Sequence, residues 1–344
     1  MKRLLIAASG TGGHLFPALA VAEYLGDYQI EWLGVADRLE RSLVANDYPL
    51  HILKVQGFQS RKLSLSTFKV ILSQLQAIIK VKSLLAELKI DVIFTTGGYI
   101  AAPAILAGYW AGVPVVLHES NSIPGKVTRF LSRFCRVTAI GFQQTASYIK
   151  NTKLVGNPVR NSFLIPQSLD IPVTKEQFLI VVVGGSQGAI ALNNLVRACV
   201  EDWVKYGAVI VHLIGANDNI QFQTEGYYSF PFYSNMASLL QRADLAVSRS
   251  GSATLAELAA TSTPSILIPF PFAAEDHQYY NARAFERAGA AFLYRQEQIT
   301  AELLKQIVLD LINDPEKLNQ MKKATADLTV LDSAKQMAKI IRGL

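Results

Sequence analysis

The sequence is poor in the residues that hold disulfide-rich proteins and zinc sites together. Its 344 residues include two cysteines, Cys135 and Cys199, and no Cys-x-x-Cys pair. This argues against a disulfide framework or a cysteine-based zinc site and favours a reducing compartment. Charged residues make up only 17% of the chain and hydrophobic residues 50%. Such a composition argues against long disordered stretches.

Two common nucleotide-binding signatures are also missing. The dinucleotide fingerprint G-x-G-x-x-G, counted from Gly10, requires a glycine at position 15, where the chain has Leu15. No segment matches the P-loop pattern G-x-x-x-x-G-K-[ST], and no Asp-x-Asp pair is suited to holding a nucleotide-bound metal. The sequence therefore does not favour NAD binding or P-loop ATP hydrolysis.

Charge is absent from the stretch between Val92 and His118, which is long enough to span a bilayer. Glycines and prolines divide this stretch into a strand, a loop, a helix, a turn and a second strand. Buried parallel strands also give uninterrupted apolar runs, so we predict buried elements, with a membrane-spanning helix as the minority alternative. The apolar run from Leu4 to Ala8 ends at a glycine loop, which predicts a first strand rather than an export signal.

The sequence does contain two glycine-rich loops, each directly after an apolar run. The first is Ser9-Gly10-Thr11-Gly12-Gly13-His14, and the second is Gly184-Gly185-Ser186-Gln187-Gly188. A strand, a glycine turn and a helix N-terminus form a phosphate cradle, because glycine lets the backbone approach an anion and the helix dipole favours negative charge. The net charge of +6 and the pI of 9.1 also suit an anionic partner.

Strands and helices alternate in both halves, which predicts an α/β fold of parallel sheets with helices on both faces. Strands are predicted at 3–8, 29–34, 50–54, 91–95, 114–118, 136–140, 178–183, 208–213, 228–231, 244–248 and 265–268. Helices are predicted at 16–26, 37–46, 66–88, 101–111, 124–132, 142–147, 188–203, 234–242, 251–262, 278–287, 300–312, 315–326 and 332–342. Prolines cluster at the domain boundary, so we predict a first domain over 1–160 and a second over 161–327. The C-terminal segment 328–344 is expected to pack back on the first domain.

Three motifs of the first half stand at predicted strand ends, where open α/β sheets place their ligands. His14 ends the first loop and can accept a proton from a hydroxyl as a neutral imidazole, or it simply begins a helix. Gly97-Gly98-Tyr99 offers either backbone room for a bulky ligand or a tight turn with an aromatic plug. The run His118-Glu119-Ser120-Asn121 forms either the wall of a site or a capped helix start.

Three further motifs fit ligand contact. Arg160 can reach a phosphate or a uracil carbonyl, or it lies on the surface after a turn. The backbone N–H groups from Ser252 to Thr254 can bind a phosphate, and Glu257 can take both hydroxyls of a ribose. The alternative role of Glu257 is to satisfy the helix dipole. The polar cluster at 276–281 either contacts a ligand or caps a helix through Asp276.

Apolar and basic residues alternate on helix 66–88 and near positions 109–136. Such a surface lies on an anionic membrane, or it is ordinary core packing with a solvated basic rim. The apolar residues are Phe68, Ile71, Leu72, Leu75, Ile78, Ile79, Tyr109 and Trp110. The basic residues are Arg61, Lys62, Lys69, Lys80, Lys82, Arg129, Arg133 and Arg136.

Taken in order, these motifs resemble the MurG family of bacterial transferases. That family moves N-acetylglucosamine (GlcNAc) from UDP-GlcNAc to lipid I, undecaprenyl-pyrophosphoryl-MurNAc-pentapeptide, and so forms lipid II for peptidoglycan. The resemblance covers nearly the whole chain and rests on the segments 11–14, 97–99, 118–121, 156–160, 184–188, 251–257 and 278–281. Departures from the family pattern stand at Ser9, Ser120 and Ala101-Ala102, all in the acceptor half.

The resemblance implies two Rossmann-like, doubly wound parallel-sheet domains in the glycosyltransferase-B arrangement, with an interdomain cleft. In the first domain, Thr11-Gly12-Gly13 would cradle the pyrophosphate of lipid I near Asn121. In the second, Glu257 would bind the ribose of UDP-GlcNAc. The diphosphate region would be held by Ser186 and by Ser252, Ala253 and Thr254. The resemblance also implies uracil contacts from Arg160 and Tyr233, sugar contacts from Gln278 and Asn281, and further substrate contacts from Tyr99, Glu119, Gln187, Leu255 and Ala256.

The mechanism implied is an inverting transfer with His14 as general base. Neither a metal nor another cofactor is expected, and neither is a nucleic-acid partner. The expected location is peripheral, on the cytoplasmic side of the bacterial plasma membrane. Two other classes stay open: an enzyme of the UDP-GlcNAc 2-epimerase type on the same fold, and a non-catalytic binder of nucleotide sugars or polyprenyl phosphates.

Overall fold

The computed structural model describes residues 1–10, 12–35, 40–53, 55, 65–185 and 188–344, with the backbone alone at position 42 and over 65–71. The chain divides into two compact units. Unit 1 comprises Met1–Arg160 together with Asp332–Leu344, and unit 2 comprises Asn161–Leu331. The last helix of the chain therefore belongs to the same unit as the first strand.

Over its described residues, unit 1 contains a seven-stranded parallel sheet in the order β3-β2-β1-β4-β5-β6-β7. The strands are β1 (Lys2–Ala7), β2 (Tyr28–Val35), β3 (Leu50–Leu53), β4 (Val92–Thr95), β5 (Val115–Glu119), β6 (Val137–Ile140) and β7 (Thr152–Leu154). The helices are α1 (Gly12–Ala22), α2 (Glu40–Leu43), α3 (Leu65–Glu87), α4 (Ala101–Ala111), α5 (Lys126–Leu131) and α13 (Ser333–Arg342).

Strand β1 explains why the first apolar run shows no polar alternation. Leu4 and Ile6 face a core that includes α1 and the C-terminal residues Met337 and Ile341. Leu5, one position along, faces a second core built from α3 and α4. Successive side chains of a strand point to opposite faces, so a sheet covered on both sides requires apolar residues at every position.

Unit 2 repeats this plan, with a six-stranded parallel sheet over its described residues in the order β10-β9-β8-β11-β12-β13. The strands are β8 (Phe178–Val183), β9 (Ala208–Leu213), β10 (Tyr227–Phe230), β11 (Leu245–Ser248), β12 (Ser265–Leu267) and β13 (Ala291–Leu293). The helices are α6 (Ile190–Arg197), α7 (Val200–Lys205), α8 (Met236–Arg242), α9 (Ser252–Ala260), α10 (His277–Arg287), α11 (Ala301–Asn313) and α12 (Pro315–Ala326).

The structure differs from the sequence prediction at several elements. Strands β7 and β13 were not predicted, because each has only three residues and β7 is largely exposed. The single helix predicted over 188–203 is two helices, since α6 ends at Arg197 and α7 begins at Val200. The segment 142–147 forms a 3-10 turn over Gln143–Ser147 rather than an α-helix. Part of the helix predicted at 37–46 lies outside the described residues.

The charge-free stretch between Val92 and His118 forms β4, α4 and β5, as predicted. Gly112 ends α4 in the left-handed conformation, with φ 71°, and so separates the helix from β5. Across the described part of the chain, no helix is both long enough and apolar enough to span a membrane.

Candidate active site

Each sheet reverses its strand order once, and several of the sequence motifs follow the strands that border that point. In unit 1 the reversal falls between β1 and β4, and in unit 2 it falls between β8 and β11. Ligands of open α/β sheets bind outside the carboxyl ends of the strands at such a switch point. The two glycine loops follow β1 and β8, so each loop borders the switch point of its own unit.

His14 lies in the first turn of α1, because the helix begins at Gly12 rather than at position 16. Its Nδ1 is 2.8 Å from the carbonyl oxygen of Thr96, just beyond the end of β4. A carbonyl oxygen can only accept, so Nδ1 carries the proton and the lone pair of the neutral ring is on Nε2. The Thr96 hydroxyl donates in return to the carbonyl oxygen of His14, at 2.8 Å.

The Gly97-Gly98 turn packs directly on the His14 ring. Both glycines are left-handed, with φ of 100° and 79°. A Cβ at Gly97 would lie 3.3 Å from His14 Cε1, and a Cβ at Gly98 would lie 3.2 Å from the Ser9 carbonyl oxygen. The turn is tight, as one of the two alternatives had it, but Tyr99 is exposed and does not plug it; the space left by the missing side chains is taken by the imidazole of His14.

The rest of the first loop is held from behind by a buried carboxylate. Glu40 is wholly buried, and its Oε1 accepts from the backbone N–H groups of Gly10 at 3.3 Å and Val35 at 3.2 Å. Gly12 and Gly13 open α1, so the predicted cradle is the helix N-terminus itself. Thr11 lies outside the described residues. Ser9, one of the departures from the family pattern, is buried.

In the run from His118 to Asn121 the first three residues are buried and Asn121 is half-buried. His118 Nε2 donates to the Gly156 carbonyl oxygen at 2.9 Å, and burial lowers the pKa of His118 to about 4. Glu119 Oε1 accepts from both the backbone and side-chain nitrogens of Asn121, at 2.9 and 3.1 Å. Burial raises the pKa of Glu119. The expected helix cap is absent, since α5 begins only at Lys126.

Two predicted contact residues of unit 1 have different surroundings. Tyr99 is 56% exposed beside the glycine turn, so its ring is accessible to a ligand. Arg160 is half-buried, and its guanidinium carbon lies 4.3 Å from the centre of the Phe16 ring on α1. This cation–π contact places Arg160 beside the helix that carries His14.

In unit 2, the described residues of the second glycine loop are Gly184, Gly185 and Gly188. Gly185 and Gly188 are left-handed, with φ of 90° and 73°, and Gly188 N–H donates to the Gly185 carbonyl oxygen at 2.9 Å. A Cβ at Gly184 would lie 2.9 Å from the backbone nitrogen of Ala189. Ser186 and Gln187 lie outside the described residues.

The N-terminus of α9 lies across the switch point from this loop. Gly251 caps the helix without a side-chain hydrogen bond, and the first intrahelical bond is from Leu255 N–H to the Gly251 carbonyl oxygen. The N–H groups of Ser252, Ala253 and Thr254 precede that bond and suit an anion. Ala253, Thr254 and Ala256 are half-buried, whereas Leu255 belongs to the core and Ser252 is buried. Glu257 is 8% exposed, one turn inside the helix.

The structure brings Gln278 and Asn281, which lie 28 and 31 residues after Ser250 in the chain, to the same turn. Ser250 Oγ donates to the Gln278 carbonyl oxygen at 2.8 Å, and Asn281 Nδ2 donates to the Ser250 carbonyl oxygen at 3.4 Å. Gln278 Oε1 accepts from the Phe270 backbone N–H at 2.9 Å. Asn281 is wholly buried, so it supports the turn from beneath. Asp276 is the N-cap residue of α10, but its side chain makes no capping hydrogen bond and instead pairs with Arg295 at 2.6 Å.

One residue of this turn received no role from the sequence. The Arg249 guanidinium is buried and donates to the carbonyl oxygens of Ile268 and Pro269 and to Gln296 Oε1. Burial lowers its pKa to about 10. Arg249 thus joins the ends of β11 and β12 below α9. Tyr233, predicted near uracil, lies 5.4 Å from the Phe230 ring between centroids.

Comparisons with known proteins agree with this arrangement of motifs. The N-terminal domain model of glycosyltransferase family 28 matches residues 4–140, and the C-terminal domain model of the same family matches residues 179–337. Proteins named UDP-N-acetylglucosamine--N-acetylmuramyl-(pentapeptide) pyrophosphoryl-undecaprenol N-acetylglucosamine transferase are close relatives. The one from Gloeothece citriformis is 58% identical, with 99% of this chain and 95% of the relative covered. The one from Microcystis aeruginosa is 59% identical, with 99% and 96% covered.

Solved structures show the same fold. The crystal structure of Acinetobacter baumannii MurG is 27% identical, covers 100% of both chains and has a TM-score of 0.79. A UDP-GlcNAc 2-epimerase from Neisseria meningitidis, bound to UDP-GlcNAc, has a TM-score of 0.71 over 100% of both chains, but at 14% identity it shows the fold alone.

The fold and the two matching family models define a glycosyltransferase with two Rossmann-like domains, which confirms the predicted fold class. The chain belongs to the MurG family within glycosyltransferase family 28. It is an enzyme that transfers N-acetylglucosamine, as the sequence motifs predicted.

Proposed function

We propose that this chain transfers GlcNAc from UDP-GlcNAc to the 4-hydroxyl of the MurNAc unit of lipid I, with His14 as the general base. The transfer is the reaction named for relatives that are 58% and 59% identical over almost the whole chain. The products are lipid II, a peptidoglycan precursor, and UDP. The observation that carries the assignment of His14 is the hydrogen bond from its Nδ1 to the Thr96 carbonyl oxygen.

The donor is assigned to unit 2. There the glycine loop after β8 and the N-terminus of α9 border one switch point, as a diphosphate requires. Glu257 is a buried carboxylate on the first turns of α9, and a carboxylate can accept from two neighbouring hydroxyls of a ribose. Gln278 is half-buried and is held beside the same turn. We assign it to the sugar, and Tyr233 to uracil.

The acceptor is assigned to unit 1, with its pyrophosphate at the N-terminus of α1. The muramyl 4-oxygen attacks the anomeric carbon of GlcNAc, its proton passes to His14 Nε2, and the bond from that carbon to the UDP oxygen breaks. Attack on the face opposite the leaving group inverts the configuration from α to β. The fixed tautomer of His14 makes Nε2 the basic atom without any rearrangement of the ring.

The leaving group of this mechanism is stabilised by helix dipoles and backbone N–H groups. As UDP departs, negative charge grows on its β-phosphate, and preorganised donors act on such developing charge. The N–H groups of Ser252, Ala253 and Thr254 supply these donors. No step of this mechanism uses a metal or another cofactor.

We place the enzyme peripherally on the cytoplasmic face of the bacterial plasma membrane, through an aromatic and basic surface of unit 1. Tyr109, Trp110, Val127 and Phe130 are each more than half exposed. The guanidinium of Arg133 covers the Phe130 ring at 4.2 Å. Nearby basic side chains are Arg129 and Arg136, and α3 adds the exposed apolar residues Leu72, Leu75 and Ile79. Ile78 is buried, and Arg61, Lys62 and the side chains of Phe68, Lys69 and Ile71 lie outside the described set.

The test is transfer of labelled GlcNAc from UDP-GlcNAc to a short-chain lipid I analogue, with a control that omits the acceptor. We expect acceptor-dependent label in a disaccharide lipid product. Release of UDP or formation of an epimer without acceptor would instead indicate an epimerase-type enzyme. Measurable UDP binding with no product from either reaction would indicate a non-catalytic binder.

A further inference from the structure

A buried chain of hydrogen bonds lies behind the second glycine loop and takes no part in the transfer described above. We call it the His212 network; its members are Asn193, Arg197, His212, Asp218 and Tyr227. His212 and Asn193 are wholly buried, and Arg197 and Asp218 are less than 10% exposed. The network joins α6, β9, β10 and the segment that follows β9.

The direction of every bond in this network is determined. Asn193 Nδ2 donates to Asp218 Oδ2 at 2.7 Å, and Arg197 Nη2 donates to the same oxygen at 2.6 Å. Asn193 Oδ1 must then accept, so His212 Nε2 donates to it at 3.0 Å. His212 Nδ1 is left to accept from the Tyr227 hydroxyl at 2.9 Å. Burial lowers the pKa of His212 to about 3, which keeps the ring in the neutral form that this pattern needs.

The network reaches the glycine loop through one backbone carbonyl. Asn193 Nδ2 also donates to the Ile214 carbonyl oxygen, at 2.8 Å. That oxygen is the atom nearest to the position of a Cβ built on Gly188, and Gly215 Cα follows at 2.9 Å. Gly188 therefore packs against the carbonyl that Asn193 holds. A displacement of this carbonyl would change where the glycine turn lies.

The network also lies on the side of β8 away from the switch point. It binds the end of β9, whereas the donor turn at Ser250 follows β11, the neighbour of β8 on the opposite side. Its members are thus placed to position the loop rather than to touch the phosphates. Every side-chain polar atom of Asn193 and His212 has a hydrogen-bond partner, and a buried arrangement of this kind favours one geometry.

We propose that the His212 network positions Gly188, the last residue of the second glycine loop, and thereby sets the affinity for the nucleoside diphosphate of the donor. This inference rests on the proposed donor site in unit 2. Asn193 is the central positioning residue, because it alone contacts both the network and the Ile214 carbonyl oxygen.

The test compares Asn193→Ala with Thr325→Val, a matched control in the same unit. Thr325 is wholly buried, and its hydroxyl donates to carbonyl oxygens on the far side of the unit, at Met321 and Ala290. We expect Asn193→Ala to raise the Kd for UDP and the KM for UDP-GlcNAc about tenfold, with the KM for the acceptor unchanged. Thr325→Val should lower the Tm and leave both donor constants unchanged.

A merely structural role predicts that both variants lower the Tm and neither changes UDP affinity, and that result would overturn the proposal. His212→Phe provides the same test should Asn193→Ala not fold. It removes the outer end of the network and leaves the bond to Ile214, so a smaller rise of about threefold is expected. Absence of UDP binding by the wild-type enzyme would refute the proposed donor site itself, and so is distinguishable from failure of the network.

Discussion

Each of the two glycine loops lies between a strand and a helix, and the two differ in the side chain that the helix carries near its N-terminus. Each loop follows a central strand, and each helix is tied in its first turns to a carbonyl oxygen at the end of a neighbouring strand. In unit 1 the tie is His14 to Thr96, and in unit 2 it is Asn193 to Ile214. The carbonyl of unit 1 lies at the switch point, after β4, and the carbonyl of unit 2 lies on the opposite side, after β9.

This difference assigns different chemistry to the same local structure. A titratable ring at the switch point can exchange a proton with a ligand, whereas an amide on the other side can only hold the backbone in place. A glycine loop of this kind is typical of an anion site. The side chain that the following helix carries then determines whether a proton can be transferred at that site. Variants of the site in unit 1 should therefore change turnover, and variants of the site in unit 2 should change donor binding.

The largest separation is expected from His14→Ala. Loss of the general base should reduce turnover by roughly 10²–10⁴-fold, while UDP affinity should stay nearly unchanged because the proposed donor site lies in unit 2. The measurement is kcat in the transfer assay together with calorimetry of UDP. His51→Ala, a change at the half-buried histidine on β3 that pairs with Glu31, is the control and should keep full turnover. Near-wild-type turnover in His14→Ala would remove His14 from its role.

Gly97→Ala tests whether the glycine turn positions His14, without removing the imidazole. The left-handed φ of 100° costs alanine about 1–2 kcal/mol, and the new Cβ lies 3.3 Å from the ring. A displaced base should lose up to about 10²-fold in kcat. Gly26→Ala is the matched control in unit 1, since its Cβ would meet no atom within 4 Å. Equal kcat in the two variants would show that the turn does not position His14.

Glu257→Ala should produce the opposite pattern, with weaker UDP binding as the primary defect. Loss of hydrogen bonds to a carboxylate is expected to reduce UDP affinity roughly 10- to 100-fold on calorimetry. Glu257→Gln preserves the side-chain volume and should have a smaller effect in the same direction. The control is Glu201→Ala on the exposed surface of α7. Unchanged affinity in Glu257→Ala would refute the ribose assignment.

The two units should also differ, to a smaller extent, in how strongly their exposed aromatic side chains bind lipid. The double variant Trp110→Ser, Phe130→Ser removes two exposed aromatic rings of unit 1 and should weaken sedimentation with phosphatidylglycerol vesicles by about tenfold. Tyr206→Ser in unit 2, where the ring is 58% exposed, is the control and should bind as the wild type does. Equal loss in both variants would mean that the aromatic surface of unit 1 is not the membrane contact.

The smallest effect concerns the C-terminal helix of unit 1. Arg342 donates to both carboxylate oxygens of Asp27, and this hydrogen bonding lowers the pKa of Asp27. A lowered pKa stabilises the folded state above the ordinary value of 3.8, and the stabilisation is lost as the pH falls through the folded-state pKa. Arg342→Ala should therefore lower the Tm slightly at pH 7, with the difference shrinking at pH 3. A difference of equal size at both pH values would contradict this linkage.

The sequence located most of the strands and helices, since apolar runs and glycine turns are local signals. It failed where an element was short or exposed, as at β7, and where a helix broke, as between Arg197 and Val200. At the site it identified His14 and the Gly97-Gly98 turn as separate motifs. That the turn receives the ring depends on the pairing of β1 with β4, which no local pattern specifies.

The sequence by itself determined the family and located the two glycine loops and the candidate site residues, because these depend on residue types at fixed short spacings. Only the tertiary structure decided which nitrogen of His14 is basic, that Asn281 and Glu119 are buried supports, and that Arg249 and Asn193 hold loops from behind. The physical reason is that hydrogen-bond partners and burial are set by strands adjacent in the sheet but distant in the chain.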